Sequence, residues 1–281
     1  LKTRKLWERC QDLLRREAER GGVLEVDPAI PIDITSHPPG YIDRDLELIV
    51  GLQTDQPLKR AMNLNGGLRA AVKAVESYGF KPDARITDFY RKHRRTHNEA
   101  VFDIYTPEMI LARKVGIITG LPDAYGRGRL IGDSRRVPLY GIDCLIRAKE
   151  KDLQNWPREM NDSTIRLREE IRMQIKALQA TKEMARSYGF DISLPATTAR
   201  EAVQWLYFAY LAAVKQQNGA AMSIGRVSTF LDIYLQRDLK LGLIDEPQAQ
   251  ELFDQLVLKL RLVRHLRTPE YHELFAGDPN W

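Results

Sequence analysis

The sequence predicts an α/β fold in which helices dominate and strands are few and short. Several segments repeat apolar residues every three or four positions, most clearly over residues 202–214, and this spacing places them on one face of a helix. Strand-like segments are short and isolated, at residues 115–119, 130–131 and 222–225. Prolines limit residues 23–34 to short extended pieces. A chain of 281 residues, of which 43% are hydrophobic, can bury a sizeable core as one large domain or two.

Local signals mark where the predicted helices begin and end. Glycine accepts the left-handed conformation of a helix C-cap, so Gly79 and Gly189 are expected to end helices. Thr106 followed by proline is typical of a helix start, and Thr198 and Glu201 have the spacing of a capping box. In chain order, the predicted helices lie at residues 2–20, 45–50, 57–61, 68–78 and 86–94, from 107 onward, at 163–188, over 199–214 and at 247–266.

The chemically richest stretch is residues 120–143, GLPDAYGRGRLIGDSRRVPLYGID. Its glycines and prolines are too frequent for one regular element. Arg127 and Arg129 stand among glycines, and arginine offers a planar fork of donors that matches a carboxylate or a phosphate. Glycine also lets a backbone approach a ligand closely. Two interpretations stay open from chemistry alone: an anion-binding site, or a turn-rich connector whose arginines pair with aspartates of the same stretch.

A second candidate follows the most apolar predicted helix, at residues 218–226, NGAAMSIGR. Small residues here would let a ligand lie against the backbone. They would equally permit close packing of a helix on a strand, which is the commoner reason for Gly-Ala-Ala. Both interpretations stay open at this point.

Composition argues against several classes of protein. A net charge of +5 from 43 basic and 38 acidic residues, without a basic stripe, does not favour a nucleic-acid partner. Cys10 and Cys144 make no disulfide framework, and His93 with His97 supplies only two of the ligands that a zinc site needs. The chain has no membrane-length apolar run, no signal-peptide pattern and no nucleotide-binding glycine motif. We therefore expect a cytoplasmic protein with no metal, no membrane partner and no catalytic apparatus of its own.

Long runs of this sequence resemble the pyruvate formate-lyase family, also called formate acetyltransferase. The likeness covers nearly the whole chain and is weakest over residues 145–163. The runs that carry it are ITSHPPGYIDRDLELIVGLQTDQPLKRA (34–61), RKHRRTHNEAVFDIYTPEM (91–109), TGLPDAYGRGRLIGDSRRVPLYGID (119–143), NGAAMSIGRVSTFLDIYLQRDL (218–239) and LRTPEYHELFAGDPNW (266–281).

The resemblance implies a fold and a chemistry. The family fold is an α/β barrel of two antiparallel half-sheets wrapped in helices, so residues 1–281 are expected to be the N-terminal part of a single, larger domain. The family splits pyruvate with coenzyme A into acetyl-CoA and formate through a glycine-centred radical relayed to two adjacent cysteines. Neither the cysteine pair nor the radical glycine is present in this sequence. The resemblance therefore implies no catalytic residue in this chain, which is expected to be inactive alone.

The resemblance also implies substrate-binding residues. Arg129 matches the arginine that holds the pyruvate carboxylate in the family. Ala220 and Ala221 match the small pair against which the substrate packs, and Phe275 and Trp281 match the aromatic wall of the pocket. These matches favour the anion site over the connector, and the pocket floor over helix packing.

The expected function is therefore that of the N-terminal part of an acyltransferase that serves anaerobic glucose fermentation. No cofactor is expected on this chain: the glycyl radical belongs to the remainder of the enzyme, and coenzyme A is a co-substrate. The implied partners are pyruvate, a radical-SAM activating enzyme and a second copy of the full-length protein in a homodimer. Two alternatives stay open, a 2-ketobutyrate formate-lyase of the same family and a non-catalytic scaffold that kept the fold.

Overall fold

The computed structural model describes residues 2–64, 68–93, 105–118, 132–156, 159–216 and 223–270. Over these ranges the chain forms ten helices and two short strands, so helices dominate as predicted. The elements in chain order are α1 (Lys2–Glu19), β1 (Glu25–Asp27), β2 (Lys59–Ala61), α2 (Leu68–Ser77), α3 (Ala84–His93), α4 (Pro107–Lys114), α5 (Arg136–Tyr140), α6 (Ile142–Asn155), α7 (Asp162–Ser187), α8 (Ala199–Gln216), α9 (Val227–Lys240) and α10 (Glu246–Arg261).

The helix boundaries predicted from local signals are confirmed. Helices α2 and α7 end just before Gly79 and Gly189, whose φ angles are +81° and +88°. At the start of α4, the Thr106 side chain accepts a hydrogen bond from a backbone N–H of the first turn. At the start of α8, the Glu201 N–H donates to the Thr198 hydroxyl at 3.2 Å, and the Thr198 N–H donates to the Glu201 carboxylate at 3.2 Å. These ends form from short-range contacts, which is why the sequence reveals them.

The two strands pair in parallel, with Val26 of β1 opposite Arg60 of β2. The helix predicted over residues 57–61 was therefore wrong. Leu58 has a φ of +61°, outside the right-handed helical region, and the residues that follow it are committed to pairing with β1. In the described part of the chain this sheet has two strands, and the barrel that the family resemblance implies stays a prediction.

The short helix predicted over residues 45–50 was also wrong. Glutamine side chains on two distant helices take the backbone donors that a helix would use. Gln255 of α10 accepts from the Leu48 N–H at 2.6 Å, and Gln204 of α8 accepts from the Val50 N–H at 2.8 Å. Tertiary contacts thus override the local helical pattern of this segment.

The strand-like segments give a mixed result. Residues 115–118 close α4 with a turn, in which the Ile117 N–H donates to the Ala112 carbonyl at 2.9 Å, so the strand predicted there was wrong. Ser223 forms an isolated β-bridge. Residues 130–131 lie outside the described part of the chain.

Three helices, α5, α6 and α9, were missed from the sequence, and α10 ends five residues before its predicted end. The sharp turn between α5 and α6 is made by Gly141, with a φ of +70°. A Cβ on Gly141 would lie 2.3 Å from the Ser193 carbonyl oxygen, so only glycine fits this close approach. The same turn brings Asp143 to Lys182 of α7, with 2.6 Å between Oδ1 and Nζ, and α6 packs along α7.

Helix α8 is the centre of the main hydrophobic core. It contacts α5, α7, α9 and α10, and residues on all of its sides are buried. The apolar face predicted over residues 202–214 is therefore confirmed as deeply packed, although burial extends well beyond one face. The largest fully buried side chains of this helix are Leu206, Tyr207, Phe208 and Leu211.

Candidate functional site

All five substrate-binding residues implied by the family resemblance lie outside the described part of the chain. They are Arg129, Ala220, Ala221, Phe275 and Trp281. The structure does describe the elements next to them. Helix α8 runs up to Gln216, four residues before Ala220, and α5 begins at Arg136. The structure therefore gives the geometry of the elements that flank the proposed site, and the site residues themselves lie outside it.

The C-terminal end of α8 carries a buried lysine. Lys215 is only 2% exposed, and its Nζ lies 3.9 Å from the Met184 sulfur of α7. The Lys215 carbonyl accepts a hydrogen bond from the Asn63 side chain at 3.3 Å, which connects α8 to the segment after β2. Burial lowers the pKa of the Lys215 amine to about 8, and the charge of Asp33 only partly opposes this change. Lys215 is thus a buried amine with a lowered pKa at the C-terminal end of α8.

Next to this lysine, a buried histidine is held by a hydrogen-bonded aspartate. The His37 Nδ1 lies 2.7 Å from the Ser36 hydroxyl, and its Nε2 lies 3.3 Å from Asp27 Oδ2. Burial lowers the pKa of His37, against the opposing effect of Asp27, so the imidazole is neutral at pH 7. Burial of Asp27 acts to raise its pKa, but hydrogen bonds from two backbone N–H groups and the charge of Lys59 leave that pKa below its ordinary value. The contact of His37 with Asp27 holds residues 36–37 against the end of β1.

A third set of buried polar contacts holds residues 40–52 against α8 and α10. Lys259 and Glu47 are fully buried, with 2.5 Å between Nζ and Oε2, and Lys259 also donates to the Gly51 carbonyl at 3.2 Å. Tyr207 donates to the same carbonyl at 3.0 Å. Burial leaves the pKa of Lys259 below its ordinary value, although the charge and hydrogen bond of Glu47 oppose this change. These contacts hold an irregular segment against two helices of the core.

Sequence reasoning missed these buried polar residues, although a signal was present for two of them. Lys215 follows Tyr207 and Leu211 at four-residue intervals, so it shares their buried helix face. Lys259 likewise follows Gln255 by four positions on α10. A lysine in register with core residues indicates a buried cation. No comparable pattern precedes His37, whose burial depends on the fold of its loop.

The two cysteines lie on different helices and are both free thiols. Cys10 on α1 is buried, and burial raises the pKa of its thiol to about 11. Cys144 on α6 is exposed. Over the described ranges, no three His, Cys, Asp or Glu side chains come together as a metal site would require. None of the helices described is both long and apolar enough to span a bilayer.

Two solved enzyme structures share the fold of this chain. A hydroxyproline dehydratase from Clostridioides difficile superposes with a TM-score of 0.60 at 17% identity, over 92% of this chain and 39% of that one. A glycyl radical enzyme from Archaeoglobus fulgidus gives a TM-score of 0.52 at 16% identity, over 81% of this chain and 34% of that one. At such low identities the likeness shows a shared fold and nothing about substrate.

Sequence comparison gives the family. The model of the pyruvate formate lyase-like family matches residues 2–281, so this chain belongs to that family. A formate acetyltransferase from Haemophilus influenzae is 54% identical over 284 residues, which cover 99% of this chain and 37% of that protein. The family resemblance read from the sequence is thereby confirmed. The chain spans little more than a third of the length of this relative.

Proposed function

We propose that this chain provides the pyruvate-binding part of a pyruvate formate-lyase, which converts pyruvate and coenzyme A into acetyl-CoA and formate. The observation that carries the proposal is the 54% identity to a formate acetyltransferase over 99% of the chain. Identity of that extent over 284 residues is far above the 16–17% shared with the two solved structures compared above, which share the fold alone.

In this proposal the substrate-binding residues have distinct roles. Arg129 holds the carboxylate of pyruvate through two parallel charge-assisted hydrogen bonds. Ala220 and Ala221 form a floor that leaves room for the short methyl ketone. Phe275 and Trp281 form an apolar wall that keeps water and side reactions away from a radical intermediate.

The described structure supports the proposal through the close packing of α8. This helix is enclosed by four other helices and leads directly into the segment with the two alanines. The hydrogen bond from Asn63 to the Lys215 carbonyl holds its last turn. A binding floor needs such a support, because displacements of even 1 Å weaken the positioning of a substrate.

The radical chemistry is proposed to come from outside these 281 residues. In the pyruvate formate-lyase chemistry, a glycyl radical relayed to two adjacent cysteines would supply the radical that splits pyruvate. The cysteines here are 134 positions apart in the sequence, one buried with a raised pKa and one exposed on a helix. We therefore propose that the chain binds no cofactor and is inactive alone. From the family resemblance we also propose that the full-length enzyme is a cytoplasmic homodimer activated by a radical-SAM enzyme.

The proposal is tested by a lyase assay after anaerobic activation. A full-length protein containing these residues is expected to release formate and acetyl-CoA from pyruvate, and this chain alone is expected to release none. The control is the same protein without activating enzyme. A faster reaction with 2-ketobutyrate would change the proposed substrate. A full-length protein that carries a radical and yet leaves both keto acids unchanged would instead support a non-catalytic scaffold.

A further inference from the structure

Lys215 differs from the other buried cations in having no carboxylate partner among the described residues. Four lysines and arginines are buried in the described part of the chain: Arg60, Lys215, Lys259 and Arg264. Arg60 and Arg264 each contact the Glu17 carboxylate at 3.0 Å, and Lys259 contacts Glu47 at 2.5 Å. The Lys215 ammonium has three donors, and within the described ranges its one polar contact is the Met184 sulfur at 3.9 Å. Sulfur is a weak acceptor, so this buried charge lacks the hydrogen bonds that normally accompany burial.

The described groups whose charges interact with Lys215 do not fill this role. Asp33 is exposed, and its Oδ1 already accepts from the Ile34 N–H at 2.6 Å and from the Gln216 side chain. His37 is bonded to Ser36 and Asp27, and burial lowers the pKa of its imidazole. The α7 side contributes the Met184 thioether. Among the described residues, this buried positive charge therefore has donors that no oxygen accepts.

We propose that Lys215 is a carboxylate-binding residue. A carboxylate suits it because two oxygens would accept the unused donors and neutralise the buried charge. The carboxylate has two possible sources, the 2-keto acid substrate or an Asp or Glu side chain of the full-length protein. The substrate source rests on the function proposed above, and both sources share the same chemistry at Lys215. Lys215 stands five residues before Ala220, at the end of the helix that supports the proposed pocket floor.

The first experiment measures pyruvate binding to this chain, without activation or radical. The variant is Lys215→Met, which keeps the length and apolar stem and removes the charge. The control is Lys240→Met, an exposed lysine at the C-terminal end of α9. With sodium chloride at matched ionic strength as the reference, pyruvate is expected to raise the melting temperature of the wild type and of Lys240→Met. Binding to Lys215→Met is expected to be weaker by roughly tenfold or more.

The second experiment uses the wild type alone, in case Lys215→Met does not fold. Lysines labelled with 13C at Cε are titrated by NMR, and one resonance is expected to titrate near pH 8, well below the others. Pyruvate is expected to move that midpoint upward, because a bound carboxylate favours the ammonium form. Chloride at the same ionic strength is expected to leave it unchanged.

The third experiment identifies the source of the carboxylate. Lys215→Met is made in the full-length protein and its unfolding is followed without pyruvate. If a protein side chain is the partner, the variant is destabilised there, whereas in the 281-residue chain it is not. Pyruvate-dependent effects in the first two experiments identify the substrate instead. If Lys215 responds neither to pyruvate nor to the rest of the protein, the proposal is wrong. The lyase assay remains a separate test, since none of these measurements requires turnover.

Discussion

The buried pair Lys259–Glu47 predicts a large loss of stability in Lys259→Met. Both side chains have no exposure, so the substitution leaves the Glu47 carboxylate buried without its cation. Removing one partner of such a pair typically costs 3–5 kcal/mol. Glu47 keeps its hydrogen bonds from the Ile42 and Asp43 N–H groups, and Gly51 keeps its bond from Tyr207. We therefore expect the low end of the range, about 3 kcal/mol.

The assay is urea unfolding at pH 7, with Lys240→Met as the exposed control. A loss of about 3 kcal/mol is a large share of the 5–15 kcal/mol that folded domains usually have. The double variant Glu47→Leu/Lys259→Met is expected to recover most of the loss, because no buried charge is left unpaired. If the free energy of unfolding of Lys259→Met lies within about 0.5 kcal/mol of the wild-type value, as for surface variants, the buried pair does not stabilise the fold as expected.

Three further predictions follow from described contacts. Burial lowers the pKa of Lys215 from 10.5 to about 8, so the cost of its charge is fully present below pH 8 and is relieved as pH rises to about 10.5. Urea unfolding is expected to show the wild type gaining about 3 kcal/mol over this window relative to Lys215→Met, and equal pH profiles would contradict this. Gly141→Ala is expected to lower the melting temperature more than Gly189→Ala, because both glycines have positive φ but only Gly141 has backbone within 3 Å of the new Cβ. Similar losses in the two variants would show that the clash is relieved at little cost. In native protein at pH 8, a thiol reagent is expected to label Cys144 and leave Cys10 unmodified, since Cys10 is buried with a pKa of about 11. Equal labelling rates would contradict the burial of Cys10.

Sequence reasoning succeeded where the cause of a structure is local. The ends of α2 and α7 depend on one glycine each, and the start of α8 depends on Thr198 and Glu201 three residues apart. It failed where the cause is distant. Residues 45–50 have a helical pattern, yet glutamines more than 150 positions away take their backbone donors. No local propensity contains that information.

The candidate site shows a similar division. Arg129 and the Gly-Ala-Ala segment were ambiguous from chemistry alone, and the family resemblance favoured one interpretation of each. Their prediction stays untested by the described contacts, because these residues lie outside them. That the buried Lys215 has no carboxylate partner among the described residues could be recognised only in the structure, since it depends on what surrounds the end of α8 and not on the sequence of that helix.

The central claim, that this chain holds the carboxylate of pyruvate, is tested most directly by comparing Arg129→Lys with Arg127→Lys in the full-length enzyme. Each variant keeps the positive charge and loses the planar fork of arginine. Steady-state kinetics are measured at matched radical content, because loss of radical would imitate a damaged site. Loss of a charge-assisted hydrogen bond, about 1.5–3 kcal/mol, predicts a KM for pyruvate roughly tenfold higher or more in Arg129→Lys and little change in Arg127→Lys. A raised KM in Arg127→Lys with an unchanged KM in Arg129→Lys would contradict the assignment.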